Sequence, residues 1–236
     1  QRQMCIRDRM SLEYVGIKGG MVILVADDPG PISSQTEQDT RHFSRFSKLP
    51  CFDPSSAQEA YEMIQEAFEY SEKYGTPVFL RPTTRVCHGY ASIMVKDETE
   101  YTHHQPEGFI KDSKRWVIFP RLSFMNHKKI EARNQELSDI FSSYEKNTIH
   151  PSCDAFKDSK KGIATGGISY TYTMETLKKT GMVKTLKIAT PHPFPEKLAV
   201  DFLSGLDEVL CLEELDPVIE RELIYILSLI HISEPT

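Results

Sequence analysis

Residues 26–41 read ADDPGPISSQTEQDTR, and the reading of this stretch decides the fold. Just before and into it, residues 21–26 (MVILVA) form an unbroken apolar run rich in β-branched side chains, preceded by Gly19 and Gly20. A run of that kind reads as a parallel-sheet strand buried on both faces. Asp27 and Asp28 end the strand, and Pro29 and Gly30 turn the chain. Ser33 and Ser34 are of the type that caps a helix, which is expected over residues 35–47. Strand, loop and helix start in this order put the stretch at the carboxyl end of a parallel sheet, where open α/β folds bind ligands. On that helix Gln35, Gln38 and Arg41 would follow one another turn by turn toward the same mouth. The residue pattern alone also allows a plainer reading, a well-capped surface helix behind a turn.

Working outward, residues 50–52 suggest a short strand, and Ser56 with Glu59 forms a capping box. The helix it opens carries Ala57, Ala60, Tyr61, Ile64, Ala67, Phe68 and Ser71 on one face, and Gly75 ends it. Residues 76–80 (TPVFL) are a further buried strand, so this part predicts a right-handed parallel α/β unit. From 96 to 159 the character changes to charges, His103-His104, the single Trp116 and a polar helical stretch over 127–146. This predicts a long connection carrying one surface helix. A second α/β pattern follows: a strand at 161–165 running into Gly166-Gly167, a helix to Lys179 and a strand at 185–190. Next come the loop of Pro191, Pro193 and Pro195, a helix at 196–204, a strand at 208–212 and a helix after Pro217. The end segments, QRQMCIRDR at 1–9 and LSLIHISEPT at 227–236, look like translated sequencing-adapter read-through and are set aside. The expected organisation is therefore 10–95, 96–159 and 160–226, cut from a protein longer in both directions.

Composition bounds the function class. With 39% hydrophobic and 26% charged residues, the chain has the make-up of a soluble globular protein of one or two domains. A net charge of −6 gives no general pull toward nucleic acid or an anionic membrane. No run reaches the roughly 18 apolar residues that a membrane span needs. The five cysteines are far apart, with no C-x-x-C pair, which argues against a zinc or iron–sulfur site in this stretch and for a reducing cytoplasm.

The pattern D-D-P-G-x-x-S-S-Q-x-E-Q-D-x-R closely resembles the signature of the pyrimidine-binding domain of thiamine-diphosphate-dependent 2-oxoacid:ferredoxin oxidoreductases. It is most similar to the alpha subunit of the indolepyruvate type. MSLEYVGIKGG ahead of it, KLPCFDPSSAQEAYEM, YGTPVFLRPTTRVCHG and the later ATPHPFPEKL and VLCLEELDPVIE stretches are similar in order and spacing, covering most of residues 10–226. The resemblance implies the C-terminal part of a pyrimidine-binding domain followed by a transketolase C-terminal-like α/β domain. It implies oxidative decarboxylation of an aryl 2-oxoacid to an acyl-coenzyme A and carbon dioxide, with electrons passing through [4Fe-4S] clusters to ferredoxin and a beta subunit as partner. The sequence departs from the whole subunit in three respects: it has no G-D-G-type magnesium and diphosphate motif, no ferredoxin-like cysteine run, and no upstream activating glutamate. Thiamine diphosphate, Mg2+ and clusters are thus expected in the parent subunit, with none bound by this stretch alone and no catalytic residue assignable within it. What carries over is a set lining the cofactor or substrate mouth: Asp27, Asp28, Ser33, Ser34, Gln35, Glu37, Gln38 and Asp39, with Arg41. Arg41 is expected to grip the 2-oxoacid carboxylate or the acidic side of the loop, against an intrahelical bridge to Glu37. Sister enzymes acting on pyruvate, 2-oxoglutarate or branched-chain oxoacids, and a non-catalytic interaction module on the same fold, are the alternatives.

The remaining candidates are weaker. Arg81, Arg85 and His88 follow the TPVFL strand, and Arg85 or His88 could face substrate in the T-T-R-x-x-H pattern, with structural ion pairing an equal alternative. Glu213 and Glu214 read as a solvated pair or a dimer contact. His103-His104 lack a third ligand at useful spacing and read as surface loop rather than metal site. Cys51 and Cys87 read as buried small hydrophobes.

Overall fold

Val22, Ile23 and Leu24 pair in parallel with Val78, Phe79 and Leu80, and Cys51 and Phe52 pair in parallel with the other edge of that strand. These strands are β1 (Val22–Leu24), β2 (Cys51–Phe52) and β3 (Val78–Leu80), in the spatial order β1-β3-β2. The structure is a computed structural model that describes residues 6–30, 35–101, 105–106 and 108–233. Among these residues β3, fully buried, is the centre of the first sheet, and β1 is an edge with one neighbour. Leu24 is accordingly 64% exposed, which corrects the reading of that strand as buried on both faces.

The helices around this sheet are α1 (Ile6–Val15), α2 (Thr40–Ser47), α3 (Ala57–Tyr74) and the single turn α4 (Thr84–Cys87). In α3 Ser56 is the N-cap, as expected, but the reciprocal half of the capping box does not form. Ser56 accepts the Glu59 N–H at 3.2 Å, while the Glu59 carboxylate reaches past it to the N–H and hydroxyl of Ser55 at 2.8 and 2.7 Å. Gly75 closes the helix at φ +61, in the left-handed region that glycine enters without steric cost. The buried stripe of α3 is Met63, Ala67 and Ser71, whereas Phe68 is 45% exposed. A five-residue shift separates α2 from its expected start: Thr40 is its first residue and Asp39 its N-cap.

The stretch read as a connection contributes to the core. After the turn α5 (Ser113–Trp116), α6 (Pro120–Phe141) buries Ile130, Leu137, Ser138 and Phe141, and is not a surface helix. Phe141 meets Phe52 edge-on with ring centroids 5.7 Å apart, and Leu137 and Tyr144 join the same cluster. Beside them the Ser138 hydroxyl donates to the carbonyl of Phe194, 56 residues on. The polar look of α6 is its solvent face; the buried positions 130, 137 and 141 fall seven and four apart on one stripe.

Strand β4 (Thr148–His150), inside the expected connection, opens the second sheet. With β5 (Lys161–Gly166), β6 (Lys184–Ile188) and β7 (Glu208–Leu212) it gives the order β4-β6-β5-β7, antiparallel only at β4. Helices α7 (Gly167–Thr180), α8 (Glu196–Leu203) and α9 (Val218–Ser233) complete it, and α8 and α9 supply Phe202, Ile219, Leu223 and Ile226 to its core. The α/β class with parallel sheets is as read from the sequence. Both end segments set aside there are partly helical, since α1 begins at Ile6 and α9 runs to Ser233. Beyond Ile226 the side chains of Leu227 and Leu229 are 36% and 45% exposed.

Candidate functional site

The first sheet's carboxyl end is held by a buried ionic network. Asp27, 1% exposed, leaves β1 and accepts the Arg81 Nε at 2.6 Å, the Thr40 N–H at 2.8 Å and the Thr40 hydroxyl at 3.0 Å. Arg81 follows β3 at the same level, equally buried, and its Nη1 lies 3.2 Å from Asp53, which follows β2. Its Nη2 lies 3.5 Å from Asp39. Each strand of the sheet thus ends in a charged residue of one cluster. Burial opposes the charge on Arg81, but Asp53, Asp39 and Asp27 outweigh it and hold the guanidinium's pKa above its ordinary value.

Arg41 ties this network to the second sheet. It is the second residue of α2, not two turns in, and is 3% exposed. Its Nε and Nη2 donate to Asp39 at 2.9 and 2.6 Å, and its Nη1 donates to Glu213 at 2.7 Å. The same Nη2 also meets the carbonyls of Glu214 and Asp216 at 2.8 and 2.9 Å. Its contacts include the acidic side of the loop and not Glu37. Burial disfavours ionising Asp39, yet the Arg41 hydrogen bonds and the Arg81 charge prevail and lower its pKa. Glu213, its side chain only 6% exposed, is not a solvated carboxylate: it also accepts the N–H groups of Val218, Ile219 and Glu220 and so caps α9. Second-sheet partners lying 172–175 residues from Arg41 leave no local trace in the sequence.

Asp53 is the outlier. Burial pushes its pKa up to about 6 against the pull of Arg81 and Arg41, with Asp39 and Glu214 adding repulsion. Its Oδ1, the Nη2 of Arg81 and the hydroxyl of Thr83 are buried atoms with no hydrogen-bond partner. A side chain on Gly167, at the start of α7, would meet both Asp53 oxygens at 3.2–3.3 Å, and Gly167 has φ +51. Glycine is therefore required where α7 approaches the carboxylate. The sequence reading has Arg81 as a strand-end charge outside the site, and it misses Asp53. A charge directly after each short apolar strand was the available signal for both.

Above the network lies the loop itself. Asp28 accepts the Thr84 hydroxyl at 2.7 Å, and its carbonyl accepts the Gln38 N–H at 3.0 Å, closing the loop. Gln35, Glu37 and Gln38 are exposed; Ser33, Ser34 and the His103-His104 pair lie outside the described residues. Arg85 on α4 is half exposed, 3.5 Å from Glu214 and over the Tyr172 ring at 5.9 Å, and His88 just beyond it is exposed. The structure thus brings Asp27, Asp39 and Arg41 together beneath the surface, and leaves Gln35, Glu37, Gln38, Arg85 and His88 open to solvent. Cys51 is buried, as read, but Cys87 is exposed on the last residue of α4, where no strand covers it.

Asp39, His42 and Asp216 place ligand-type atoms within 4.8 Å of one another. Asp39 is already bound by Arg41, and His42 lies 2.9 Å from Asp216, so a divalent cation there would sit against a guanidinium. The set is explained by its hydrogen bonds to one another and to Arg41. No helix among the described residues is long and apolar enough to cross a membrane.

No family model matches the chain. It is 40% identical over 217 residues to the indolepyruvate oxidoreductase subunit IorA of Methanothermobacter thermautotrophicus, covering 91% of this chain and 34% of that protein. The IorA subunits of Pyrococcus abyssi (39% over 218 residues, 90% and 33%) and Archaeoglobus fulgidus (34% over 213 residues, 89% and 33%) are similar in the same way. The chain spans about a third of the length of the curated relatives it matches. Among solved structures, the 2-oxoglutarate:ferredoxin oxidoreductase of Magnetococcus marinus shares the fold with a TM-score of 0.55 at 14% identity, over 87% of this chain and 47% of that one. The resemblance read from residues 26–41 is borne out over nine-tenths of the chain.

Proposed function

We propose that this chain, which matches about a third of the indolepyruvate oxidoreductase subunits it resembles, is the pyrimidine-side segment of such a subunit. The whole enzyme would oxidatively decarboxylate an aryl 2-oxoacid to an acyl-coenzyme A, with ferredoxin as acceptor and a beta subunit as partner. One observation carries this reading: the signature loop sits at the carboxyl end of a parallel sheet, anchored from beneath by Asp27, Asp39, Arg41 and Arg81. That is where α/β folds hold ligands.

The residues fit one end of thiamine diphosphate. Exposed amide and carboxylate side chains at Gln35, Glu37 and Gln38, with Asp28 at the base, suit a neutral ring that donates and accepts hydrogen bonds. They do not suit its diphosphate. Arg41 and Arg81, the guanidiniums bonded to Asp39 and Asp27, are buried against carboxylates, and a phosphate pair needs free cations or a metal. When bound, the cofactor supplies the electron sink for decarboxylation; the Mg2+, diphosphate and [4Fe-4S] sites belong, in this proposal, to other parts of the subunit. Within this chain Asp28, Ser33, Ser34, Gln35, Glu37 and Gln38 orient the ring, while Asp27 and Asp39 hold the loop's two ends. Arg41 braces Asp39, and Arg85 and His88 face the 2-oxoacid carboxylate.

The test is the full-length subunit assembled with its partner, assayed by viologen-dye reduction with indolepyruvate, phenylpyruvate, pyruvate and 2-oxoglutarate. Aryl oxoacids should give the highest kcat/KM, and Arg85→Ala should raise KM for the oxoacid. Dye reduction with none of the four would overturn the proposal; a preference for pyruvate or 2-oxoglutarate would transfer it to a sister enzyme.

A further inference from the structure

The turn between β7 and α9 holds Leu215 at φ +65, a region that bulky side chains avoid unless their surroundings impose it. The carbonyls on either side of it, those of Glu214 and Asp216, are both acceptors for Nη2 of Arg41. The residue before them, Glu213, receives Nη1 of Arg41 on Oε2. That same oxygen takes the Val218 and Ile219 N–H groups, and Oε1 takes that of Glu220. Glu213 therefore has two separable tasks: it caps α9, and it holds Arg41 by Nη1, the nitrogen that Asp39 leaves free. Asp39 in turn caps α2 and is the last residue before the helix that the signature loop enters.

We infer that Glu213 is a positioning residue for the signature loop, acting through Arg41 on Asp39 and on the backbone at 38–42. The geometry of the mouth is then set from the second sheet as well as from the strands that end beneath it. A buried guanidinium with only one carboxylate can tilt about that contact; a second carboxylate on Nη1, with two carbonyls sharing Nη2 with Asp39, removes the freedom. The relevance to turnover rests on the function proposed above, but the coupling itself is a property of this chain and can be measured without it.

Hydrogen exchange of the full chain, followed by mass spectrometry, separates the two tasks. The amides of Gln38, Thr40, Arg41 and His42 are bonded in the structure and report on the loop; those of Val218, Ile219 and Glu220 report on the cap. Glu213→Gln should speed exchange about tenfold at both places, and Glu213→Asp, which keeps the charge, should protect the loop better than Gln. In a double variant with Arg41→Lys, the loop should exchange no faster than with Arg41→Lys alone, because both changes break the same link. Faster exchange confined to 218–220, or additive effects of the two changes on the loop, would show that Glu213 is only a cap and end the inference. If Glu213→Gln does not fold, comparing Glu213→Asp with Arg41→Lys separates the same two outcomes. Absence of 2-oxoacid oxidation by the wild-type enzyme would overturn the proposed function and leave the exchange result standing.

Discussion

Replacing Asp53 by asparagine should flatten a pH dependence that this one carboxylate builds into the fold. Asp53 is 3% exposed, and only one of its oxygens meets a cation, Arg81 at 3.2 Å. Its folded pKa is pushed up to about 6, chiefly by burial. In the unfolded chain it titrates near its ordinary value of about 4. Between these values the folded state keeps a proton that the unfolded state has released, so stability falls as pH rises from about 4 to about 6 and is level above. Two pH units at about 1.4 kcal/mol each give a loss of about 3 kcal/mol, or roughly 6–12 °C in Tm for a chain of this size. Asp39 and Glu59 have lowered pKa values and act in the opposite sense, but only as pH falls below about 4.5, outside most of the window. Glu13 and Glu222, raised by burial, add to the trend. The informative quantity is therefore a difference: the stability of the parent minus that of Asp53→Asn, from urea melts at pH 4.5, 5.5, 6.5 and 7.5. It should fall by about 2 kcal/mol across the series, since about 1.5 of the two pH units lie above pH 4.5 and groups away from the cluster cancel. A difference constant within about 0.5 kcal/mol would refute the assignment of a raised pKa to Asp53.

Four further outcomes are expected. Arg41→Ala should cost about 3–5 kcal/mol, since it leaves Glu213 buried without its cation and Asp39 with only the more distant Arg81; Arg41→Lys, which cannot reach both carboxylates and both carbonyls, should cost about 1.5–3 kcal/mol in the same melts. Gly167→Ala should cost at least about 1 kcal/mol, because its φ is +51 and its Cβ would press on the Asp53 carboxylate; no loss of Tm would mean that α7 can retreat. Ile226→Ala should cost about 2–4 kcal/mol, whereas removing residues 230–236 should shift Tm by less than about 3 °C, and a larger shift would show that the end of α9 packs. Calorimetric titration of this chain with thiamine diphosphate and Mg2+ should give no dissociation constant as tight as micromolar, a result that a diphosphate site within the chain would contradict.

Much of the fold was legible because its signals are local. Ser56 and Gly75 bound α3, and the strand at 208–212 and the helix start at Glu196 are where turn residues and apolar runs put them. The errors came where a distant partner decides between local options. Ser33, Ser34 and Asp39 are all good cap residues; Asp39 prevails because Asp27, at the strand end, takes the N–H and hydroxyl of Thr40 and fixes the first turn there. Leu137 and Phe141 sit among charges, and only the aromatic floor of Phe52 and Tyr144 shows that their stripe is buried. The signature residues were legible as a group, but not their division into a buried frame and an exposed rim, since Arg41 and Glu213 are 172 residues apart.

The charge count of that frame explains why it joins three helices. Asp27, Asp39, Asp53 and Glu213 face only two guanidiniums, Arg41 and Arg81, a surplus of two negative charges in a buried place. Left alone, such a surplus is resolved by protonation, because a charge without a partner is costly to bury. Here three of the four carboxylates lie at helix starts: Asp39 caps α2, Glu213 caps α9, and Asp53 stands at the first residue of α7. A helix N-terminus carries roughly half a positive charge, so three of them supply most of what the arginines lack. Asp39 and Glu213 take direct N–H bonds from their helices; Asp53 keeps one oxygen without a bond, and it is Asp53 whose pKa rises. The balance also dictates position. Because α7 and α9 belong to the second sheet and α2 follows the signature loop, this compensation operates where the elements of the two sheets meet.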